Sequence, residues 1–480
     1  MVAPAMITFL IALAALIGGY MIYGKIVDNI FKPTDAPTPA ITKADGVDFI
    51  VLPTWKVFMI QLLNIAGLGP IFGALAGALW GPAVYLWIVC GTIFAGAVHD
   101  YLSGMISLRE GGKSLPEIVG EYLGETTLTI MRVFLVLLMI LVGAVFTVGP
   151  AGLLKMLTGI DITTLLLIIL FYYFLATLLP IDKLIGRLYP IFGVCFIIMA
   201  LGVMGGMLIN SSASMPEMQL ANLYPAEGDN KLPIWPLMFI TVACGAISGF
   251  HATQSPMMAR CLKSERLARP VFYGAMICEG IIGLIWAAAG ITFYESTGGL
   301  AAALSANGPG AVVHAICNGF MGGGIGVALA MIGVVVCPIT SGDTALRCAR
   351  LILADWLGMA QEQIKNRLIL ALPIIVIAGI ITQLDFNVVW RYFAWLNQSL
   401  ATIVLWTGAV YLYMMKPESK SYLIAMIPAI FMSIVTFTYI LQAKEGLELS
   451  TMISYPAGIV FAVFCLILCI KTRMVKHHTA

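Results

Sequence analysis

Two apolar segments of this sequence contain the residues best suited to bind a small charged ligand. Each is long enough to cross a membrane, yet each is interrupted near its middle by glycines and polar side chains. A helix that unwinds there exposes N–H groups, which favour an anion such as a carboxylate, and carbonyl oxygens, which favour a cation. The predicted substrate-binding residues are Asn64, Ala66, Gly67 and Gly69 in the first segment and Gly245, Ser248, Gly249 and His251 in the second.

The same residues have a simpler interpretation. A single glycine in an apolar segment more often allows two helices to pack closely, and a single buried histidine is more often a hydrogen-bonded packing residue. The presence of two similar interruptions favours a site between them over packing alone. Asn64 can contact the substrate or only hold the first interruption in shape, and the sequence leaves both roles open.

Three ionisable residues lie within apolar runs, where each needs solvent or a partner. His99 and Asp100 lie towards the inner end of one run, and because histidine titrates near neutral pH the pair can handle protons or form a gate. The alternative is an interfacial pair that caps the helix or pairs with Arg109. Glu279, near the middle of another run, is expected to be protonated or paired, as a proton-coupling group requires. Its alternative role is a structural hydrogen bond to a neighbouring helix.

The ninth apolar run ends in residues that offer oxygen ligands. Pro338 interrupts the helix, and Thr340, Ser341 and Asp343 follow it. Because hard cations prefer oxygen ligands, we predict that these three residues couple a cation, with Na⁺ held at Thr340 and Ser341. The alternative is simple helix termination, with Asp343 paired to Arg347 four residues later.

The composition identifies the class of protein. Of the 480 residues, 60% are hydrophobic and 10% are charged, whereas about a quarter of a soluble protein is charged. Enzyme motifs such as H-E-x-x-H, G-x-S-x-G and the P-loop do not occur, and the basic residues form no patch for nucleic acid. We therefore expect an integral membrane protein that is not an enzyme and has no cofactor beyond a coupling Na⁺ or H⁺. Its expected partners are a small-molecule substrate and the lipid bilayer, and its oligomeric state stays open.

The elements that position these residues are helices, since runs of about 20 apolar residues predict membrane spans. The predicted fold is an all-α polytopic membrane protein with about thirteen transmembrane helices. The predicted spans are 3–24, 54–79, 82–107, 128–155, 163–180, 187–209, 235–255, 269–294, 322–343, 367–384, 389–412, 421–441 and 452–471.

The distribution of basic residues predicts the orientation. With the N-terminus outside and the C-terminus inside, all but four of the 26 lysines and arginines fall on the inner side. Such a bias is typical of cytoplasmic loops. The exceptions are Lys155, Lys231, Arg391 and Lys444.

The two interrupted segments enter the membrane from opposite sides and are five spans apart, which indicates a five-plus-five inverted repeat with the site between its halves. Residues 295–321 lie outside and are predicted to form short helices over the outer mouth. The predicted units are a leading helix and cytoplasmic loop (1–53), the first repeat (54–209), an extracellular loop (210–234), the second repeat (235–412), and two trailing helices with a basic tail (413–480).

The chain resembles the carbon starvation protein A family between about residues 50 and 360. That resemblance implies a transporter of the amino acid–polyamine–cation superfamily in the bacterial inner membrane, with a leucine-transporter-like fold. Members are induced on nutrient limitation and are linked to uptake of peptides and, in some cases, pyruvate–proton symport. Many relatives have Gln at the position of His99, and this chain is short for the family. The matching segments are Asn64–Pro70, Ala97–Tyr101, Arg109–Leu115, Ala243–His251 and Thr340–Arg347.

Residues and resemblance together predict a secondary active transporter. It would import a small carboxylate-bearing nutrient, a short peptide or pyruvate, by alternating access coupled to a proton or Na⁺. The alternative is a ligand-binding channel or nutrient sensor without coupled transport, and accumulation against a gradient separates the two.

Overall fold

The computed structural model of the protein describes residues 6–45, 49–178, 181–209, 215–225, 231–361 and 363–471. Some predicted features lie outside these residues. They are parts of the loop at 210–234, the last two residues of the span at 163–180, the basic tail after residue 471, and the side chains of Lys183 and Arg187.

Every long regular element in these ranges is a helix, as the sequence predicts. The helices are α1 (Ile7–Phe31), α2 (Thr54–Ala66), α3 (Gly69–Trp80), α4 (Ala83–Arg109), α5 (Leu115–Leu123), α6 (Glu125–Thr158), α7 (Ile162–Leu178), α8 (Ile181–Ile209), α9 (Ile234–Met238 and Phe239–Thr241), α10 (His251–Ala259), α11 (Glu265–Phe293), α12 (Thr297–Met321), α13 (Ile325–Leu357), α14 (Ile364–Ile381), α15 (Phe386–Met415), α16 (Lys420–Gln442) and α17 (Thr451–Cys469).

The first interrupted segment is a bent pair of helices. The axes of α2 and α3 differ by 51°. Gly67 ends α2 with a φ of 38°, a conformation that costs glycine less than other residues. Pro70 has no N–H with which to continue the α2 hydrogen-bond pattern. The bend therefore follows directly from the local sequence.

The second interrupted segment has a longer break. Residues between α9 and α10 are not helical, and Gly245 has a φ of 90° within that stretch. The short helix α10 then packs against α2 and α4. Both breaks are buried in the centre of the molecule, where α11 packs against α3 and α13 packs along α6.

The number of spans differs from the predicted thirteen. By length and hydropathy, eleven helices among the described residues can cross a membrane, or twelve if α2 and α3 count as one span. Two predicted spans are not counted, because the described part of α7 has 17 residues and the span at 235–255 is divided between α9 and α10. One additional helix, α12, meets the criterion. The chain is a multi-pass, all-helical membrane protein.

Residues 297–321 form α12, which consists of two shorter helical pieces joined at a kink where Gly308 has a non-helical φ of 74°. The Ser296 side chain accepts a hydrogen bond from the Gly299 N–H at its start. The two pieces agree with the short helices that the sequence predicts, and their position over the outer mouth stays a prediction. Only the two pieces together are long enough to count as a candidate span.

Candidate functional site

The two breaks lie directly against each other. A Cβ atom added to Gly69 of the first break would overlap the Cys244 side chain of the second. A Cβ on Gly245 would lie 3.6 Å from the Cα of Pro70. The structure thus brings together the two groups of residues that the sequence selects. Because the two breaks pack directly on each other at these positions, we call this arrangement closed.

The first break has an amide without a partner. Both polar side-chain atoms of Asn64 are buried and accept or donate no hydrogen bond among the described residues. A buried amide without partners is costly, so a bound ligand or water would stabilise this residue. Ala66 is fully buried, and Gly67 faces the Phe146 ring of α6, which an added Cβ would approach to 2.6 Å.

Ser341 of α13 contacts the carbonyl groups of the first break. Its hydroxyl lies 3.4 Å from both the Leu63 and Asn64 carbonyl oxygens and 3.1 Å from the Cys337 carbonyl oxygen within α13. The Thr340 hydroxyl donates to the Cys337 carbonyl at 2.7 Å. Hydroxyl and carbonyl oxygens therefore converge at this point, as a site for a hard cation requires.

Asp343 forms a separate contact. One of its oxygens lies 3.7 Å from Nη2 of Arg347, one helical turn later. The Arg347 guanidinium also donates to the Ala176 carbonyl of α7. The pair with Arg347 is the one that the alternative interpretation has, but the predicted helix termination is wrong, because α13 continues through Pro338 and Asp343 to Leu357.

The second break is held by an asparagine of α15. Oδ1 of Asn397 accepts hydrogen bonds from the Phe250 N–H at 2.7 Å and from the Ser248 hydroxyl at 3.1 Å. Its backbone carbonyl accepts from the Gly249 N–H at 2.9 Å. Donors at the start of α10 that the sequence assigns to a substrate carboxylate are therefore satisfied by Asn397 in this closed arrangement.

Four ionisable side chains form a continuous buried row. Nδ1 of His99 lies 2.8 Å from Asp100 Oδ1, and Nδ1 of His251 lies 3.0 Å from Asp100 Oδ2. On its other side, Nε2 of His251 lies 3.4 Å from Glu279 Oε2, without the alignment of a hydrogen bond. All four side chains are 0% exposed. The row joins α4, α10 and α11, and it connects the second break to its neighbours.

The interfacial alternative for His99 and Asp100 is wrong. Both residues are fully buried and α4 continues for nine residues beyond Asp100, to Arg109. Arg109 pairs with Glu265 at 3.1 Å. The carboxylate of Asp100 instead lies between two imidazoles, one from its own helix and one from α10.

Two residues of this region were not selected from the sequence. Asn397 lies in the run at 389–412, where an amide inside an apolar span is a signal that could have identified it. From the sequence alone, Cys244 is expected to behave as a small hydrophobic residue. The structure shows that it faces polar groups. Its Sγ, a nitrogen of His251 and an oxygen of Glu279 all lie within 4.8 Å of one another, so these three residues could hold a metal ion.

Comparisons with known proteins agree with a transport function. The family model for carbon starvation protein CstA matches residues 4–158, 150–295 and 287–439. An uncharacterized membrane protein of Haemophilus influenzae is 41% identical over 351 residues, 63% of this chain and 95% of that protein. A peptide transporter CstA of Bacillus subtilis is 25% identical over 522 aligned positions, covering 85% of each chain. A pyruvate/proton symporter BtsT of Escherichia coli is 26% identical and covers 55% of this chain and 46% of that protein.

Among solved structures, a manganese transporter of Eremococcus coleocola has a similar fold. It matches with a TM-score of 0.51 and 13% sequence identity, over 89% of this chain and 98% of that chain. At this level of identity the likeness shows the fold alone. The relatives that are named for an activity are transporters, not enzymes.

Proposed function

The chain belongs to the carbon starvation protein CstA family, and from this premise we propose that it is a secondary active transporter. It imports a small carboxylate-bearing nutrient, a short peptide or pyruvate, by alternating access coupled to a proton or Na⁺. Its place is the bacterial inner membrane, where it serves uptake when nutrients are limiting. The family match confirms the resemblance found in the sequence.

One observation carries this proposal: the two breaks contact each other, and a buried ionisable row extends from one of them. Gly69 meets Cys244 across the two breaks, and His251 follows the second break and contacts both Asp100 and Glu279. Ionisable groups buried in a membrane protein are costly unless they are paired or solvated, and they commonly mark substrate or ion pathways. A central closed site next to cation-binding groups is what coupled transport requires.

The order and length of the helices support the proposed inverted repeat. After the first break come helices of 34, 17 and 29 residues, α6, α7 and α8. After the second break come helices of 33, 18 and 30 residues, α13, α14 and α15. Between its break and this group of three helices, each half also has one long helix followed by one connecting helix. These are α4 and α5 in the first half and α11 and α12 in the second. The two halves therefore repeat the same succession of elements.

The substrate carboxylate would bind at the start of α10. The N–H of Phe250 and the hydroxyl of Ser248 point to one acceptor oxygen, which is Asn397 Oδ1 in the closed arrangement. A carboxylate oxygen makes stronger hydrogen bonds with such donors than an amide oxygen does. Opening of the site would separate Asn397 from the break and leave these donors for the substrate, with Asn64 on the opposite side.

The two candidate coupling ions have different candidate sites. For Na⁺, the hydroxyls of Ser341 and Thr340 and the carbonyls of the first break offer oxygen ligands. For a proton, the acceptors are His99, Asp100 and Glu279 in the buried row. Asp343 contributes less directly under this proposal, because its carboxylate faces Arg347.

Uptake by purified protein in liposomes tests the proposal. Radiolabelled pyruvate and a dipeptide are offered with an inward proton gradient or an inward Na⁺ gradient, imposed separately. The same dipeptide with an amidated C-terminus serves as the control without a carboxylate. We expect one of the two gradients to drive uptake of a carboxylate-bearing substrate and not of the amide. Uptake of every candidate at the rate of empty liposomes under both gradients would overturn the proposal.

A further inference from the structure

Nε2 of His251 and the Glu279 carboxylate face each other as two buried acceptors whenever neither of them carries a proton. Nδ1 of His251 lies 3.0 Å from Asp100 Oδ2, so a neutral ring keeps its only N–H at Nδ1. Nε2 then presents a lone pair, and it lies 3.4 Å from Glu279 Oε2. Neither Nε2 nor the carboxylate oxygens have a hydrogen-bond partner among the described residues. Two such acceptors buried side by side need a proton or a metal ion between them.

The separation of these atoms fits a metal ion. Zinc–nitrogen and zinc–oxygen bonds of about 2.1 Å at a tetrahedral centre place the two ligand atoms about 3.4 Å apart. The third group is the Cys244 thiol, whose Sγ lies within 4.8 Å of a His251 ring nitrogen and of a Glu279 carboxylate oxygen. A tetrahedral thiolate would lie about 3.6 Å from the nitrogen, so closing the site moves Cys244 by no more than about 1 Å.

The surrounding residues hold the three groups in the way that metal sites usually do. A histidine ligand normally donates its second N–H to a carboxylate, and Asp100 fills this role for His251. Asp100 is itself held by Nδ1 of His99 at 2.8 Å. The Asn397 amide donates to Cys244 Sγ at 3.4 Å, and the thiol lies 3.5 Å from the Ser248 hydroxyl oxygen. Asp100 of α4 orients His251 of α10, and Asn397 of α15 contacts Cys244 of the second break. His99 lies in the same helix as Asp100, which it holds.

We propose that Cys244, His251 and Glu279 form a binding site for a divalent transition metal of the Zn²⁺ class, with an open fourth position. Thiolate and imidazole ligands select such ions over Mg²⁺ or Ca²⁺. The thiol proton is released as the Cys244 sulfur binds the metal, and the two negative ligands balance the charge of the ion in a buried place. A bound ion would tie the second break to α11. The inference does not require the proposed transport function.

Cobalt and zinc binding to the purified full-length protein, freed of metal with a chelator, tests this site. Co²⁺ is the spectroscopic probe, since thiolate ligation gives a charge-transfer absorption, and Zn²⁺ is titrated in competition. We expect one ion per chain and displacement of Co²⁺ by Zn²⁺. Cys244→Ser should remove the charge-transfer absorption, and Glu279→Gln should weaken binding. Asp100→Asn should weaken it by about 10–100-fold through loss of the histidine's orienting partner.

Cys278→Ser is the matched control, because Cys278 neighbours Glu279 in α11 and is not one of the three ligands. It should bind both ions as the unaltered protein does. Protection of Cys244 from alkylation by bound Zn²⁺, measured by mass spectrometry, repeats the test without any substitution. Absence of ion binding, an absorption that survives in Cys244→Ser, or unchanged alkylation of Cys244 would each overturn the site. No transport is measured, so a failure of uptake leaves this result unaffected.

Discussion

Asp100 is the residue on which the buried ionisable row depends. Its two carboxylate oxygens lie 2.8 Å and 3.0 Å from imidazole nitrogens of His99 and His251. An amide in its place has only one oxygen and presents N–H groups to one of the two rings. Because both rings are fully buried, neither can form a replacement hydrogen bond with water.

We predict that Asp100→Asn lowers the free energy of unfolding by about 1–3 kcal/mol and abolishes gradient-driven uptake. The first effect arises from a buried imidazole left without an acceptor, and the second from loss of the connection between α4 and α10. Thermal unfolding in detergent and uptake in liposomes measure the two effects. Equal stability and full uptake in this variant would show that the row is incidental to function.

His99→Gln is the matched substitution at the neighbouring position. The glutamine amide can still donate to Asp100, and the contact between Asp100 and His251 is untouched. We predict a loss below about 1 kcal/mol and retained uptake. If His99→Gln were as damaging as Asp100→Asn, the role assigned to the Asp100–His251 contact would be wrong.

At the scale of residues, the sequence identified the ionisable side chains of the buried row better than it predicted which residues they contact. His251 and Glu279 stand out because ionisable groups are rare in apolar runs. The contact of His251 with Asp100 joins positions 151 residues apart in the chain, and no local pattern specifies such a pairing. Cys244 was missed for the same reason, since a cysteine in an apolar run has no distinguishing neighbour in the sequence.

At the scale of elements, the close approach of the two breaks depends on glycine at position 69. A Cβ there would overlap the Cys244 side chain, so the breaks would have to separate. We predict that Gly69→Ala lowers the free energy of unfolding by about 1–3 kcal/mol and reduces uptake. The measurement is thermal unfolding together with uptake in liposomes.

Gly152→Ala provides the control for this substitution. Gly152 lies inside α6 and nothing surrounds the position of an added Cβ within 4 Å. Alanine is the better helix former by about 1 kcal/mol, so this variant should be at least as stable as the parent. A Gly69→Ala protein as stable and active as Gly152→Ala would contradict close contact between the breaks.

Asn397 holds the second break to α15 through its side chain. We predict that Asn397→Ala speeds hydrogen exchange of the Phe250 and Gly249 amides, because the Phe250 N–H loses the side-chain oxygen that accepts its hydrogen bond and the break becomes looser. Asn397→Asp keeps an oxygen for Phe250 and Ser248 and should exchange more slowly than the alanine variant. Hydrogen-exchange mass spectrometry compares the two. Equal exchange in both variants would mean that the side chain does not hold the break.

Elements were predictable where the local sequence determines the backbone. The bend after α2 follows from Gly67 and Pro70, and both can be read directly from the chain. The division of α12 into two pieces was predictable too, because Gly308 and Pro309 usually end a helix and the kink lies at Gly308. The role of Asn397 was missed because it depends on how α15 packs against the second break.

At the scale of the whole molecule, the orientation depends on whether α12 crosses the membrane. The predicted orientation keeps α12 outside and the loop at Lys365 inside. We predict that Asn307→Cys reacts with a membrane-impermeant maleimide added to intact cells, and that Lys365→Cys reacts only after the cells are opened. Both positions are exposed, and the parent protein provides the background labelling. Labelling of Lys365→Cys in intact cells would mean that α12 spans the membrane.

The sequence predicted the overall class of the molecule because composition and hydropathy determine it. An all-helical, multi-pass protein of the CstA family follows from the apolar runs and motifs. The number of spans was harder to predict, since a hydropathy run does not show whether its helix is continuous. The span at 235–255 is the clearest case, because its apolar residues are divided between α9, a non-helical stretch and α10.

The account of this protein as a coupled transporter is tested most directly by the accumulation of pyruvate or a dipeptide in liposomes. The measured quantity is the ratio of internal to external substrate while a proton or Na⁺ gradient is maintained. The account predicts a ratio above one that returns to one when an ionophore removes the gradient. A ratio that reaches one and stops, whatever gradient is imposed, would contradict coupling and identify a channel.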